Sequence, residues 1–348
     1  MGEEIDIIIH FLGGVRGATR AHAAQIVQSL TGSDDGISVL AARAEECVPK
    51  LLHLLGDTDA ESMSAATALI NLTALPAIAM IAVENGAVER SMDFLRDGVL
   101  PSDLLLMLLA NLTNTEGGVN VITQEGKSLE GYFINKLVHM LAFSKPASMF
   151  DYAASILTNI TRHPVGRRVF LEPKSGLLHL ALQSLAQGQS EKRRLGVAAA
   201  VRNCCLEETS CTRLLATPTM TSYGDFSAAN CRNSISSTSS SEGGLETIRL
   251  LLQIVTGSHR AREHSDAIRQ CCAESIAALA HHDGGRASLV ECDAPRLISI
   301  GYAQEQHMET CAALEAAATL FLSHGLVPEE FQPPEGVQRV EILDEEGG

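Results

Sequence analysis

The chain has no tryptophan, and tyrosine and phenylalanine together make up only 4% of its 348 residues. Sandwiches and barrels draw on aromatic and β-branched side chains to fill a pleated surface, so the scarcity of rings argues against them. Positive charge is short as well: 26 Lys and Arg stand against 42 Asp and Glu, a formal net charge of −16. Such a surface repels nucleic acid and anionic lipid, and neither is expected as a partner. Long apolar runs are missing. The longest, Ala74 to Val83, is interrupted by Pro76 and falls far short of a bilayer span. The opening Met1-Gly2-Glu3-Glu4 is acidic where a secretory leader is basic, and Asp6 stands where a myristoylation motif wants Ser or Thr. There is no P-loop, no G-x-G-x-x-G behind a strand, no G-x-S-x-G and no H-E-x-x-H. The expectation is a cytoplasmic protein that is not an enzyme and takes no cofactor or small-molecule substrate.

What is present is helical material in a repeat. Hydrophobic residues make up 45% of the chain, and Leu and Ala, both strong helix formers, dominate them. Apolar stretches end on Asn71-Leu72-Thr73, Asn111-Leu112-Thr113 and Asn159-Ile160-Thr161, with Asn203-Cys204-Cys205 as a fourth relative. The asparagines are 40, 48 and 44 residues apart, and armadillo and HEAT repeats run about 40–47 residues. The flanks keep the same frame: Ala65-Ala66 precedes Asn71 as Ala153-Ala154 precedes Asn159, Ala23-Ala24 precedes Ser29, and Cys272-Ala273 leads to Ala278-Leu279-Ala280. Gly166-Arg167 returns as Gly285-Arg286. Gly86, between Val83 and Val88, offers the positive φ a helix junction needs. The period predicts an all-α, right-handed, armadillo/HEAT-like superhelical solenoid of about six repeats over residues 1–348, the last a degenerate unit near Cys311 to Ser323. A Ser-rich stretch over 218–244 reads as a disordered insertion, and 327–348 as an acidic tail.

Several runs carry a closer likeness. Ile9 to Leu12 with Val15-Arg16 and Leu30-Thr31-Gly32, then Asn159 to Arg162 with Gly166-Arg167 and Phe170-Leu171-x-Pro173, come first. Arg194-Leu195-Gly196-Val197 with Arg202-Asn203-Cys204-Cys205 is the most specific run, and Arg262-Glu263, Asp266, Ile268-Arg269 and Val340-Glu341-Ile342 follow. Together they resemble the armadillo-like chaperones of translation elongation factor 2, historically misnamed high-mobility-group homologues. The chain departs from that pattern at Leu206-Glu207-Glu208 and Cys211, and lacks a Leu-Pro-rich element before Arg262. The resemblance implies a chaperone that holds elongation factor 2 together with the cytosolic chaperonin. An armadillo scaffold or transport adaptor for basic linear segments is the alternative, although import receptors of that kind use a tryptophan that is absent here.

The resemblance also nominates a partner-binding groove. In armadillo proteins the repeated asparagine lies on the third helix of each unit, which lines the groove, so Asn71, Asn111, Asn159 and Asn203 become candidates. An amide both donates and accepts, which suits an extended backbone; it equally suits a helix end within its own unit. Arg162, Arg167, Arg168 and Arg202 lie near the same helix ends, where they either recognise an acidic client segment or cap carbonyls. Cys204-Cys205, Cys271-Cys272 and His281-His282 have adjacent rather than converging ligand spacing, so no metal site is expected and core packing accounts for them.

Overall fold

The structure, a computed structural model, describes residues 2–56, 59–98, 100–143, 150–186, 188–217, 242–258 and 261–326. An opening pair, α1 (Gly2–Leu12) and α2 (Gly17–Leu30), is followed by helices in threes. These are α3 (Asp34–Ala41), α4 (Ala44–Leu54) and α5 (Asp59–Leu72); α6 (Pro76–Glu84), α7 (Ala87–Asp97) and α8 (Ser102–Leu112); and α9 (Glu116–Thr123), α10 (Tyr132–Phe143) and α11 (Asp151–Thr161). The next are α12 (Pro164–Phe170), α13 (Leu177–Leu182) and α14 (Glu191–Cys205); α15 (Glu208–Leu215), α16 (Glu242–Thr256) and α17 (Asp266–His281); and α18 (Asp283–Glu291), α19 (Ala294–Ala303) and α20 (Met308–Ser323). Six triplets behind a pair match the expected count, and the class is all-α of armadillo type. The chain divides into two compact units, 1–169 and 170–348.

Two local rules recur among the triplets. The first is a close turn from a third helix into the next first helix. Gly36, Gly118, Gly166 and Gly285 each sit six residues after Leu30, Leu112, Ile160 and Leu279, and a Cβ on any of them would come within 1.9–2.2 Å of that residue's carbonyl oxygen. Only glycine fits there. Ser33 and Thr115 complete two of these turns, accepting from the Gly36 and Gly118 amides at 3.2 and 3.1 Å as N-caps. The second rule is a left-handed residue before the second helix: Gly86, Gly131 and Gly176 take φ of 77°, 78° and 65°, and Asp293 does the same at 59°. Pro76 opens α6 at its first turn, where its missing N–H leaves no gap.

In unit 1 the third helices pack in sequence, α2 on α5, α5 on α8 and α8 on α11; in unit 2, α14 packs on α17 and α17 on α20. The paired small residues explain the close approach. Ala23-Ala24, Ala65-Ala66, Ala153-Ala154 and Cys272-Ala273 are all buried at these contacts. The helix α8, apolar nearly all round, buries Leu105, Leu106, Leu108, Leu109 and Leu112, as expected for an innermost helix.

The Ser-rich stretch and the acidic tail lie largely outside the described residues, with one correction: 242–244 belong to α16. A Cβ on Gly244 would lie 2.4 Å from the Leu215 carbonyl oxygen, so this glycine serves packing against α15 rather than a linker. Among the described residues no helix is long and apolar enough to cross a membrane.

Candidate client-binding face

The repeated triplet has a division of labour. In unit 1 the middle residues Leu72, Leu112 and Ile160 are fully buried. The threonines Thr73 and Thr113 are buried as well, and their hydroxyls donate back to the Leu69 and Leu109 carbonyls at 2.6 and 2.8 Å. This leaves each hydroxyl oxygen free to accept, and the asparagine of the following triplet donates to it. Asn71 Nδ2 donates to Thr31 Oγ1 at 2.9 Å. Asn111 Nδ2 donates to the Ile70 carbonyl at 2.8 Å and to Thr73 Oγ1 at 3.3 Å. Asn159 Nδ2 donates to the Ala110 carbonyl at 2.9 Å and to Thr113 Oγ1 at 3.2 Å. The result is an amide ladder that ties each third helix to the one before it. It serves a helix end, but in the neighbouring triplet rather than its own.

The ladder also orients the asparagines. With Nδ2 so engaged, Oδ1 of Asn71, Asn111 and Asn159 has no hydrogen-bond donor among the described residues, and all three side chains are half-buried. Residues four and seven before each asparagine share its helix face: Thr67 and Ser64 on α5, Met107 and Leu104 on α8, Ser155 and Tyr152 on α11. All are half-buried, and none is charged. A chain of net charge −16 thus presents a neutral face with a row of acceptors and apolar methionine and leucine beside it.

The remaining candidates fall elsewhere. Arg162 is exposed at the end of α11. Arg167 caps that helix, its Nη1 donating to the Thr161 and Arg162 carbonyls at 3.1 and 2.9 Å. Arg168 pairs with Glu130 at 2.5 Å and Glu125 at 3.4 Å. In unit 2, Asn203 is only 5% exposed and is engaged within the protein. Arg202 pairs with Glu274 at 2.9 Å. The structure therefore gathers Asn71, Asn111 and Asn159 on one face with Arg162 at the end of its last helix, while Arg167 and Arg202 are held by neighbours.

Unit 2 carries a set of ion pairs around its third helices. Arg194 pairs with the buried Glu263, and Ser265 Oγ donates to Glu191 at 2.6 Å. The Glu305 carboxylate, shielded from solvent, accepts from Arg269 through two bonds of 2.9 Å and from Arg262 at 2.5 Å. Burial works to raise its pKa, but the Arg269 bonds, the His307 and Gln306 amides and the Arg262 charge outweigh it and bring it down to about 2. Sequence reasoning found Arg262, Glu263, Asp266 and Arg269 but not Glu305, which lies 36 residues beyond Arg269 with no local signal.

The paired cysteines are core. Cys204, Cys205, Cys271 and Cys272 are buried free thiols, and burial first of all pushes Cys205 and Cys272 far up, which leaves them protonated and inert. Among the described residues no three His, Cys, Asp or Glu side chains are grouped to hold a metal ion.

A family model described as a domain of unknown function (DUF383) matches residues 97–269. The "Protein HGH1 homolog" of Dictyostelium discoideum is 30% identical over 113 residues, covering 31% of this chain and 32% of that protein. The "Protein HGH1 homolog" of Xenopus tropicalis is 30% identical over 204 residues, covering 55% of this chain and 53% of that protein. The chain thus spans about a third to a half of the length of these curated relatives. Among solved structures, an engineered protein is similar with a TM-score of 0.71 at 16% identity, over 92% of this chain and 68% of that one. A structure from work on a phosphorylation switch controlling the interaction between cadherin and beta-catenin is similar with a TM-score of 0.63 at 11% identity, over 91% of this chain and 52% of that one. At such identities these likenesses concern the fold alone.

Proposed function

Because the chain belongs to the family of HGH1 homologues and is built as an armadillo repeat scaffold, we propose that it is a non-enzymatic, cytoplasmic chaperone that holds translation elongation factor 2 alongside the cytosolic chaperonin. The identity of the client comes from the family resemblance. The observation that supports holding is the neutral face of unit 1, with asparagine oxygens that have no donor among the described residues beside Met107 and Leu104. A partly folded client exposes backbone N–H groups and apolar side chains. The asparagine oxygens accept from the former, and flexible methionine adapts to the latter. Release follows once the client buries those groups in its own core. The same neutrality disfavours the adaptor alternative, since basic linear segments find no carboxylate among Asn71, Thr67, Ser64, Asn111, Met107, Leu104, Asn159, Ser155 and Tyr152.

The test leaves the ladder intact. Thr67→Glu/Met107→Glu places two charges on the face without touching the asparagines. Dilution of denatured elongation factor 2 into buffer should give less light scattering with the parent protein and no such suppression with the variant, at matched thermal stability. Equal suppression by both would remove the face from the account, and no suppression by either would remove the client.

A further inference from the structure

The second helix of the third triplet, α10, departs from its counterparts. The outward faces of α4 and α7 carry Glu45, Glu46 and His53, and Glu89, Asp93 and Arg96, all exposed, as a solvated face should be. On α10 the equivalent surface is aromatic. Tyr132 is 43% exposed and Phe143 is 49% exposed, with Leu129, just before the helix, at 57%. The chain has four tyrosines and nine phenylalanines, and five of these thirteen fall between Tyr132 and Tyr152. In so ring-poor a sequence that concentration calls for a cause, because an exposed apolar surface marks an interaction site when it is contiguous rather than scattered.

Here it is contiguous. Tyr132, Lys136, His139 and Phe143 follow one another along α10 at steps of four, three and four residues, the spacing of a coiled-coil seam, with Leu129 in the turn before Gly131 at one end. The rings line up along it: His139 and Phe143 have centroids 5.6 Å apart, and the Lys136 ammonium lies 5.6 Å from the Tyr132 ring centroid, a cation–π contact. Burial first, and the Lys136 charge second, lower the pKa of His139, so near neutral pH its ring is an uncharged member of the stripe. Among the described residues no carboxylate pairs with Lys136. Arg96 lies toward the Tyr132 end but is engaged by Asp93 at 3.0 Å and Asp97 at 2.8 Å.

We propose that the stripe Tyr132–Lys136–His139–Phe143 is a second docking surface, separate from the asparagine face, for an amphipathic helix of a partner protein that carries apolar residues at seam spacing and a carboxylate opposite Lys136. The three-four spacing selects a helical occupant, because only a helix keeps a facing seam in step over three turns. The lone cation at the middle of an apolar seam sets its register, as a single polar seam residue does in a coiled coil, and specifies the sign of its partner. A second copy of this chain is the poorer fit: a parallel pairing sets Lys136 against Lys136, an antiparallel one sets it against His139, and neither brings a carboxylate.

The absence of tryptophan makes the test clean. A synthetic four-turn peptide with leucines at seam positions, glutamates at the central ones and a single tryptophan would be titrated with the full chain, its fluorescence alone being excited at long wavelength. A lysine-for-glutamate version serves as control. The parent should bind the glutamate peptide about tenfold more tightly than the lysine peptide, a difference of about 1.4 kcal/mol. Tyr132→Ser/Phe143→Ser should weaken that binding by at least about tenfold at unchanged melting temperature, and Lys136→Glu should invert the preference. Equal affinity for the two peptides, no binding of the glutamate peptide, or binding indifferent to Tyr132→Ser/Phe143→Ser would overturn the proposal. Sedimentation showing a dimer that Tyr132→Ser/Phe143→Ser abolishes would overturn it in favour of a second copy.

Discussion

Unit 1 and unit 2 use the same triplet and join it differently. In unit 1 the third helices are linked by a neutral ladder, each asparagine amide donating to a buried threonine and, from Asn111 on, to a carbonyl one triplet back, with one ion pair, Arg20 on the buried Glu61, between α2 and α5. In unit 2 the joints are ionic: Arg202 with Glu274, Arg194 with Glu263, and Arg262 and Arg269 on Glu305. A neutral ladder leaves a neutral surface in front of it, whereas paired charges hold their side chains in fixed partnerships. On that difference rests the proposal that a client meets unit 1, where the asparagine face carries no ion pair, rather than unit 2.

The largest effect that separates the halves should come from Glu305→Ala. It strands two arginines at a shielded site, and breaking a buried pair costs about 3–5 kcal/mol. Hydrogen exchange should accelerate in α17, α19 and α20 while α5 and α8 keep their protection; uniform acceleration would mean the halves are not distinct. Next is Gly118→Ala, whose Cβ would lie 2.0 Å from the Leu112 carbonyl oxygen. Overpacking costs about 1–3 kcal/mol, expected here as a lower melting temperature centred on α8 and α9. Asn111→Ala removes two bonds of the ladder, for about 1–2 kcal/mol, with faster exchange in α5 and α8 and none in α17. The smallest is a gain: Asp293→Gly relieves a left-handed φ of 59°, a strain of about 1 kcal/mol, against an exposed Arg296 pair worth less, so the melting temperature should rise slightly.

Acid should divide the halves as well. The Glu305 carboxyl sits at about 2, below its ordinary value of 4.5. The stabilisation it provides is complete above the ordinary value and is lost as pH falls from there toward 2. The ladder has no titrating member. Lowering pH through that window should therefore open the α19–α20 region before α8, as read by exchange at each pH; the reverse order would contradict the ionic role given to Glu305.

Much of the fold was legible in the sequence because it is periodic. The asparagine spacing, the paired alanines and Gly86 each report a local condition that recurs, and a recurring condition is visible without coordinates. Gly118 and Gly36 obey the same rule, a fixed six-residue step from a helix end. The direction of the asparagine amides was not legible, since it is set by Thr31, Thr73 and Thr113 one triplet earlier. Glu305 was hidden for the same reason, as its arginines lie 36 and 43 residues away. Asp293 escaped notice because a residue other than glycine occupies the left-handed position. The stripe on α10 shows only against α4 and α7, and the frame for that comparison is the triplet itself.

The central claim is that a client meets unit 1 across its neutral asparagine face. A photo-reactive phenylalanine analogue placed at Met107 on α8, and separately at Gln270 on α17, tests it with one reagent on both halves. After mixing with elongation factor 2 diluted from denaturant and irradiation, the account predicts a cross-linked adduct from position 107 and little from position 270. Adducts from position 270 alone, or in equal yield from both, would contradict it.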